Sequence, residues 1–339
     1  MDAGVPTSID MVRDVEDCIK KFDQWKNHAD LYNCIKSGIV YADGVKGKFD
    51  HNKSYNIERL VNTLRELEKN EDHIIYPFVA SWNMKLVELT QGRFNHLKAL
   101  RSKIIERLFN HWIRLEVNEK AAYYCGIVEF QKKWDYPLRI FTLNYDLCVE
   151  TACKHARIEL GFSDDRLWDW RRFEDDEHTE AQIYLYKMHG SIDWKRNDSV
   201  TLTYDDNPRT PDNLDDLELI FGTDYKLTYV DPYLYFAYSF RRATIDAKLI
   251  ISVGYGFADD HINGILSQAL RQDRKKKVIA VKYDSKGADE EIKKEICDLL
   301  LAKEDQVISR NKKAAEFFME DFDMDSLVGI FPKTKDTPF

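Results

Sequence analysis

The chain has 339 residues and a mass of 39.9 kDa, enough for one large domain or two modest ones. Lys plus Arg total 50 against 59 Asp plus Glu, a formal charge of −9, so no global basic footprint for nucleic acid exists. A hydrophobic fraction of 44%, with 13% aromatic residues, excludes a disordered chain.

No apolar run approaches the roughly 20 residues of a membrane-spanning helix. The opening MDAGVPTSID has neither a basic nor an apolar stretch of the secretory kind. A cytoplasmic protein is therefore expected, with no membrane contact and no direct nucleic-acid binding. Six cysteines, at 18, 34, 125, 148, 153 and 297, form no C-x-x-C pair, so free thiols and no structural zinc module are expected.

In chain order, Ala3-Gly4-Val5-Pro6-Thr7-Ser8 reads as a turn and cap before a helix from about Ile9. From there to Lys133 the periodicity is almost wholly helical. Residues 56–69 place Ile57, Leu60, Val61, Leu64 and Leu67 on one stripe, and residues 103–117 continue with Ile104, Ile105, Leu108, Phe109, Trp112 and Leu115. Such stripes are the mark of helix–helix packing.

From about Leu138 the pattern changes to short apolar runs: Leu138–Leu143, Ile183–Met188, Leu249–Val253 and Val278–Val281. Each flows into polar residues and, in most cases, a helix. This predicts an α/β fold: a Rossmann-like parallel sheet with helices on both faces, plus a mainly helical insertion. The expected division is residues 1–12 with 134–330 for the sheet domain, 13–133 for the helical subdomain and 331–339 for a fraying tail. Asp193 to Thr210 reads as polar loop, and Arg274-Lys275-Lys276-Lys277 as the solvated end of a helix, where cations suit the dipole.

Open parallel sheets bind ligands at the carboxyl ends of their strands. The first such end is Thr142-Leu143-Asn144-Tyr145-Asp146, where Asn144 or Asp146 either caps a helix over Leu147–Ala156 or faces a ligand. The second is Lys187-Met188-His189-Gly190, a histidine at the end of an apolar strand with a glycine that permits close backbone approach. The third is Gly254-Tyr255-Gly256-Phe257-Ala258-Asp259-Asp260, whose glycines admit a ligand and whose carboxylates suit ribose hydroxyls or plain capping better than phosphate.

Taken in order, AGVPTS, TLNYD, KMHGSIDW and SVGYGFADDHIN resemble the sirtuin-like domains of bacterial antiphage defence proteins. The resemblance implies that Asn144 and Asp146 surround nicotinamide and its ribose, with Thr142 beside them, and that His189, followed by Gly190, acts at the ribose hydroxyls. It assigns Gly254, Tyr255, Gly256 and Asp259 to the adenosine-side ribose, and Gly4, Pro6 and Thr7 to the N-terminal nucleotide loop. It also implies NAD+ as substrate with no permanently bound cofactor, homo-oligomers, and pairing in some relatives with a ring-shaped ATPase.

Two departures stand out. The four-cysteine zinc module of the protein deacetylases is absent, which disfavours zinc-dependent deacylation, and the resemblance to defence-type relatives instead implies NAD+ hydrolysis. The strand and Gly-Ala-Gly-x-Ser that open the family pattern are also absent, so upstream residues, or another segment in that position, are expected. Thr7-Ser8-Ile9 replaces the Asp-Phe-Arg of the deacetylases.

The nicotinamide of NAD+ already bears positive charge and departs neutral, so the reaction needs no strong general acid. The demand falls on the oxocarbenium-like ribose and on the incoming water. A histidine, with an unperturbed pKa of roughly 6.5, suits a general base near neutral pH. The expected function is an NAD+ glycohydrolase releasing nicotinamide and ADP-ribose, an abortive-infection effector. Asn144 would position water or ribose, and His189 would accept the proton. The alternative is a non-catalytic NAD or ADP-ribose-binding assembly module partnered with an ATPase.

Overall fold

A computed structural model of the chain describes residues 2–47, 55–68, 84–92, 95–114, 118–134, 136–174, 180–196, 201–206, 208, 217–220, 231–285 and 287–331. The expected tail lies outside these residues except at 331, and so do residues 115–117 at the end of the second helical stripe. Two compact units emerge. One comprises Met1, Val5–Arg114 and Asp206–Tyr225; the other comprises Asp2–Gly4, Leu115–Asp205 and Lys226–Phe339.

The first unit is helical over its first segment. It contains α1 (Ser8–Lys21), α2 (Asp23–Lys26), α3 (Ala29–Val45), α4 (Ile57–Glu68), α5 (Met84–Thr90) and α6 (Asn95–Arg107). The apolar stripes do what their spacing demands: Ile57, Leu60, Val61 and Leu64 of α4 are buried, as are Leu97, Leu100, Ile104 and Ile105 of α6, and the two helices pack together. The second stripe does not run on as one α-helix, because α6 ends at Arg107 and a π-helical turn, Leu108–Trp112, follows.

Ion pairs tie the helices of this unit together, among them Lys36–Glu16 and Arg59–Asp43. Arg101 Nε lies 2.8 Å from Glu68 Oε1. Asp14 accepts from Arg107 Nε and from Trp112 Nε1, each at 2.9 Å.

The second unit carries the parallel strands. Helix α7 (Cys125–Trp134) leads into β1 (Leu138–Thr142), followed by α8 (Cys148–Ala152), β2 (Ile158–Glu159), β3 (Ile183–Lys187), β4 (Gly190–Arg196) and β5 (Leu202–Tyr204). A short strand, β6 (Leu217–Leu219), belongs to the first unit. The second unit resumes with α9 (Tyr233–Asp246), β7 (Leu249–Val253), α10 (Asp260–Gln272), β8 (Lys277–Val281), α11 (Asp289–Leu300), β9 (Val307–Arg310), α12 (Ala314–Glu320) and α13 (Met324–Val328).

Strands β1, β2, β3, β7, β8 and β9 form two parallel sheets, ordered β1-β3-β2 and β7-β8-β9. Helices cover both faces. In β8, Val278 and Ala280 pack under α10 and α11 with Leu266, Leu270, Ile292 and Ile296, whereas Ile279 and Val281 pack on Phe130, Phe317 and Leu327. In β3, Ile183 and Leu185 meet Ile127 and Val149, while Tyr184 and Tyr186 join Phe173, Trp194 and Phe236. The two-residue alternation explains why these strands are apolar throughout. This is the mixed α/β, Rossmann-like class that the sequence predicts.

The two sheets share their cover. Helix α9 sends Phe236 to one and Phe240 to the other, and Phe318 and Phe322 pack against the buried cluster of Ile183 and Leu185 as well as that of Ile279 and Val281. Among the described residues, β1 and β7 each pair on one side only. Neither contains a fully buried residue, unlike β3 and the body of β8.

Three expectations are corrected. The stretch from Asp193 to Thr210 is not simply loop: β4 and β5 pair antiparallel from Trp194↔Tyr204 to Arg196↔Leu202, driven by burial of Trp194 and Leu202. (Residues 197–200, 207, 209 and 210 of that stretch lie outside the described ones.) The basic cluster is not a solvated helix end either. Helix α10 stops at Gln272, Lys277 opens β8, and Lys276 is 1% exposed, its ammonium bonding the carbonyls of Ile245 and Ala247. A cation does meet a helix C-terminus there, but that of α9. Finally, the helix expected from Leu147 to Ala156 is the shorter α8.

Candidate functional site

Three loops at the carboxyl ends of β1, β3 and β7 carry the clusters singled out by the sequence. The first is tied to the β3–β4 turn by its own backbone. The Met188 amide donates to the Thr142 carbonyl at 2.9 Å, and the Ile192 amide to the Tyr145 carbonyl at 3.0 Å. Within the loop the Asn144 amide donates to Thr142 Oγ1 at 3.1 Å, and Asp146 Oδ1 accepts from the Cys148 amide at 3.0 Å. Asp146 is therefore buried and braces the turn into α8 from one residue before the cap position, Leu147, whereas Asn144 stands exposed.

Gly190 starts β4 with φ +86°, a conformation that side-chain-bearing residues rarely adopt. The turn this permits delivers His189 into the interior at 4% exposure, with its ring 6.3 Å from that of Tyr145. His189 Nε2 lies 3.5 Å from Asp259 Oδ2, close enough for an ion pair when the imidazole is protonated and too long for a strong hydrogen bond. Its Nδ1 is buried with no hydrogen-bond partner among the described residues. The same holds for Ser191 Oγ and Asp193 Oδ1. Ser191 and Asp193 alternate along β4, and buried polar atoms without partners are rare enough to require an explanation.

The third loop follows β7. Gly254 turns at φ +70°, its amide bonded to the Val281 carbonyl at 2.9 Å, and a Cβ at Gly254 or Gly256 would meet nothing within 4 Å. Both glycines face open space. Tyr255 is turned to bracing: its hydroxyl reaches the Asp259 carbonyl at 3.1 Å and Asn263 Oδ1 at 3.0 Å. Asn263 Nδ2 in turn donates to the Phe257 carbonyl at 2.9 Å. Asp259 caps α10, with Oδ1 accepting from the His261 amide at 3.0 Å and from the Ile262 amide at 3.4 Å, while Oδ2 is the oxygen near His189.

The N-terminal candidates are split between the units. Gly4, at φ +83°, lies in the second unit, where a Cβ would come within 3.1 Å of Lys120 Cδ. Pro6 and Thr7 lie in the first. There the Thr7 hydroxyl is engaged with Asp10, at 2.6 Å from Oδ2, in a capping box that begins α1.

Sequence reasoning missed Lys187, Glu150 and Asn263. Lys187 is 1% exposed at the end of β3, and its ammonium donates to the Asp146 carbonyl and, at 2.8 Å, to Glu150 Oε1. The available signal was a lysine closing an otherwise apolar strand. Burial pushes the Cys148 thiol well above its ordinary range, with the Asp146 carboxylate adding to it, and raises Cys153 to about 12, so neither is poised as a nucleophile. Among the described residues no group of three or more His, Cys, Asp or Glu could hold a metal ion, and no helix is long and apolar enough to cross a membrane.

Loops at the carboxyl ends of parallel strands, where open α/β sheets bind their ligands, bring the buried His189 and Asp259 together here. Residues 138–306 match the family model described as SIR2-like domain, which supports a sirtuin-like domain over that stretch. The matched stretch contains all three strand-end loops and is compatible with chemistry on NAD+. No curated protein matches the sequence significantly.

Proposed function

We propose that the domain is an NAD+ glycohydrolase that releases nicotinamide and ADP-ribose. The carrying observation is the buried pair of His189 and Asp259 beside the loop that presents Asn144, in a chain whose residues 138–306 match the SIR2-like model. In this reading the bond between nicotinamide nitrogen and ribose C1′ breaks, and the electron pair leaves with neutral nicotinamide. Water adds to C1′, and its proton passes to His189 Nδ1, the ring nitrogen without a partner. Asp259 then stabilises the imidazolium from the opposite side of the ring. Asn144 orients water or ribose, Asp146 shapes the loop, and the space at Gly254 and Gly256 takes the adenosine-side ribose.

The resemblance to defence-type domains supports a cytoplasmic effector that depletes NAD+ during infection, as a homo-oligomer or with a ring-shaped ATPase. Incubating purified protein with NAD+ and resolving the products by chromatography tests the reaction. Equimolar nicotinamide and ADP-ribose are expected. Tight ADP-ribose binding by calorimetry without nicotinamide release would instead mark a binding module.

A further inference from the structure

Lys187 is a full positive charge withdrawn from water, and the roles assigned above make no use of it. It sits in β3, opposite Thr142 of β1 in the ladder register, one strand away from the loop that carries Asn144 and Asp146. Its ammonium spans two partners, the main-chain carbonyl of Asp146 and the carboxylate of Glu150 in α8. Burial works against its charge, but the carboxylates of Glu150, Asp193 and Asp146 outweigh it and hold the ammonium protonated above its ordinary range. A buried charge needs such compensation.

An apolar pair could fill the same space without the desolvation penalty, so stability alone does not call for this one. What the ammonium does that no apolar side chain can is fix a carbonyl in the turn between Asn144 and α8. We infer that Lys187, anchored by Glu150, is a positioning residue: by holding the Asp146 carbonyl it sets the height and direction of the loop that presents Asn144 to the sugar. The inference goes beyond the proposed hydrolysis and rests on that reading for its kinetic arm only.

The test exploits the difference between losing one charge and losing both. Lys187→Met alone strands Glu150 and lowers the melting temperature. The double variant Lys187→Met with Glu150→Met removes both charges, and its melting temperature is expected to return to that of wild type. Its kcat for NAD+ is nevertheless expected to fall by about 10²-fold, the effect of a small misplacement of a reacting group. KM is expected to stay unchanged, and hydrogen exchange at the Cys148 and Ile192 amides, which report the seating of the loop, to speed up.

A double variant with wild-type melting, wild-type kcat and wild-type exchange overturns the inference and leaves the pair merely structural. Glu150→Gln, the milder change, covers the case in which the double variant does not fold: it too must lower kcat and speed exchange, and wild-type values of both refute the role. If wild-type protein releases no nicotinamide, the hydrolase reading fails, and the exchange arm still decides the positioning role by itself.

Discussion

His189 and Asp259 face one another at 3.5 Å, each about 4% exposed, although one follows β3 and the other caps the helix after β7. The contact ties the two parallel sheets together at their carboxyl ends. It also leaves the imidazole with one nitrogen toward a carboxylate and the other toward no protein group.

Replacing that carboxylate separates its two duties. Asp259→Asn keeps a good cap for α10, since asparagine and aspartate cap equally well. The variant is expected to melt like wild type while its NAD+ turnover drops by about 10²-fold, the lower end of what a positioned base contributes. Paired thermal melts and turnover assays check both halves.

Thr7 is a structural residue before it is anything else. Its hydroxyl and the Asp10 carboxylate close a capping box on α1. Thr7→Ala is expected to lower stability by about 1 kcal/mol in urea unfolding, and Thr7→Ser to restore it.

The helical unit carries a defined acid sensitivity. Burial pushes the Asp14 carboxyl up, but hydrogen bonds from Arg107 and Trp112 outweigh it and hold the group below its ordinary 3.8. A depressed carboxyl contributes stability that is present above the unfolded value and lost as pH falls through the folded one. Melting temperature is therefore expected to fall as pH drops below 3.8, and Asp14→Asn to flatten that part of the profile while lowering stability at neutral pH.

Gly161 is tightly enclosed by aromatic rings. It adopts φ +83°, and a Cβ there would lie 2.3 Å from Trp168 Cζ3 and 2.4 Å from Phe173 Cε2. Gly161→Ala combines backbone strain with overpacking of the aromatic core, an expected loss of about 3 kcal/mol in denaturant unfolding.

The legibility of the fold follows burial. Strands β3 and β8 were readable because both faces are covered, so every residue is apolar or nearly so. Strand β4 was not, because Ser191 and Asp193 turn polar side chains inward while Ile192 and Trp194 fill the other side, and the run imitates a loop. Lys276 misled for the same reason: a lysine signals water unless tertiary carbonyls, here those of Ile245 and Ala247, replace it.

In the candidate site, strand-end motifs located Asn144, His189 and Asp259 in the sequence. That Asp259 would turn one oxygen to a helix and the other to His189 depends on how β7 and β3 are placed in space, which local spacing does not encode. The buried Lys187 bridge was hidden likewise, since its partners lie on a preceding loop and helix.

The most direct test compares nicotinamide release by wild type, His189→Ala and Asn144→Ala at saturating NAD+. Asn144 is exposed, so its truncation leaves no cavity to confuse the result. The account predicts robust release by wild type and a loss of about 10²–10⁴-fold in His189→Ala, with a clear loss in Asn144→Ala and folding intact. Release at the wild-type rate by both variants would contradict it.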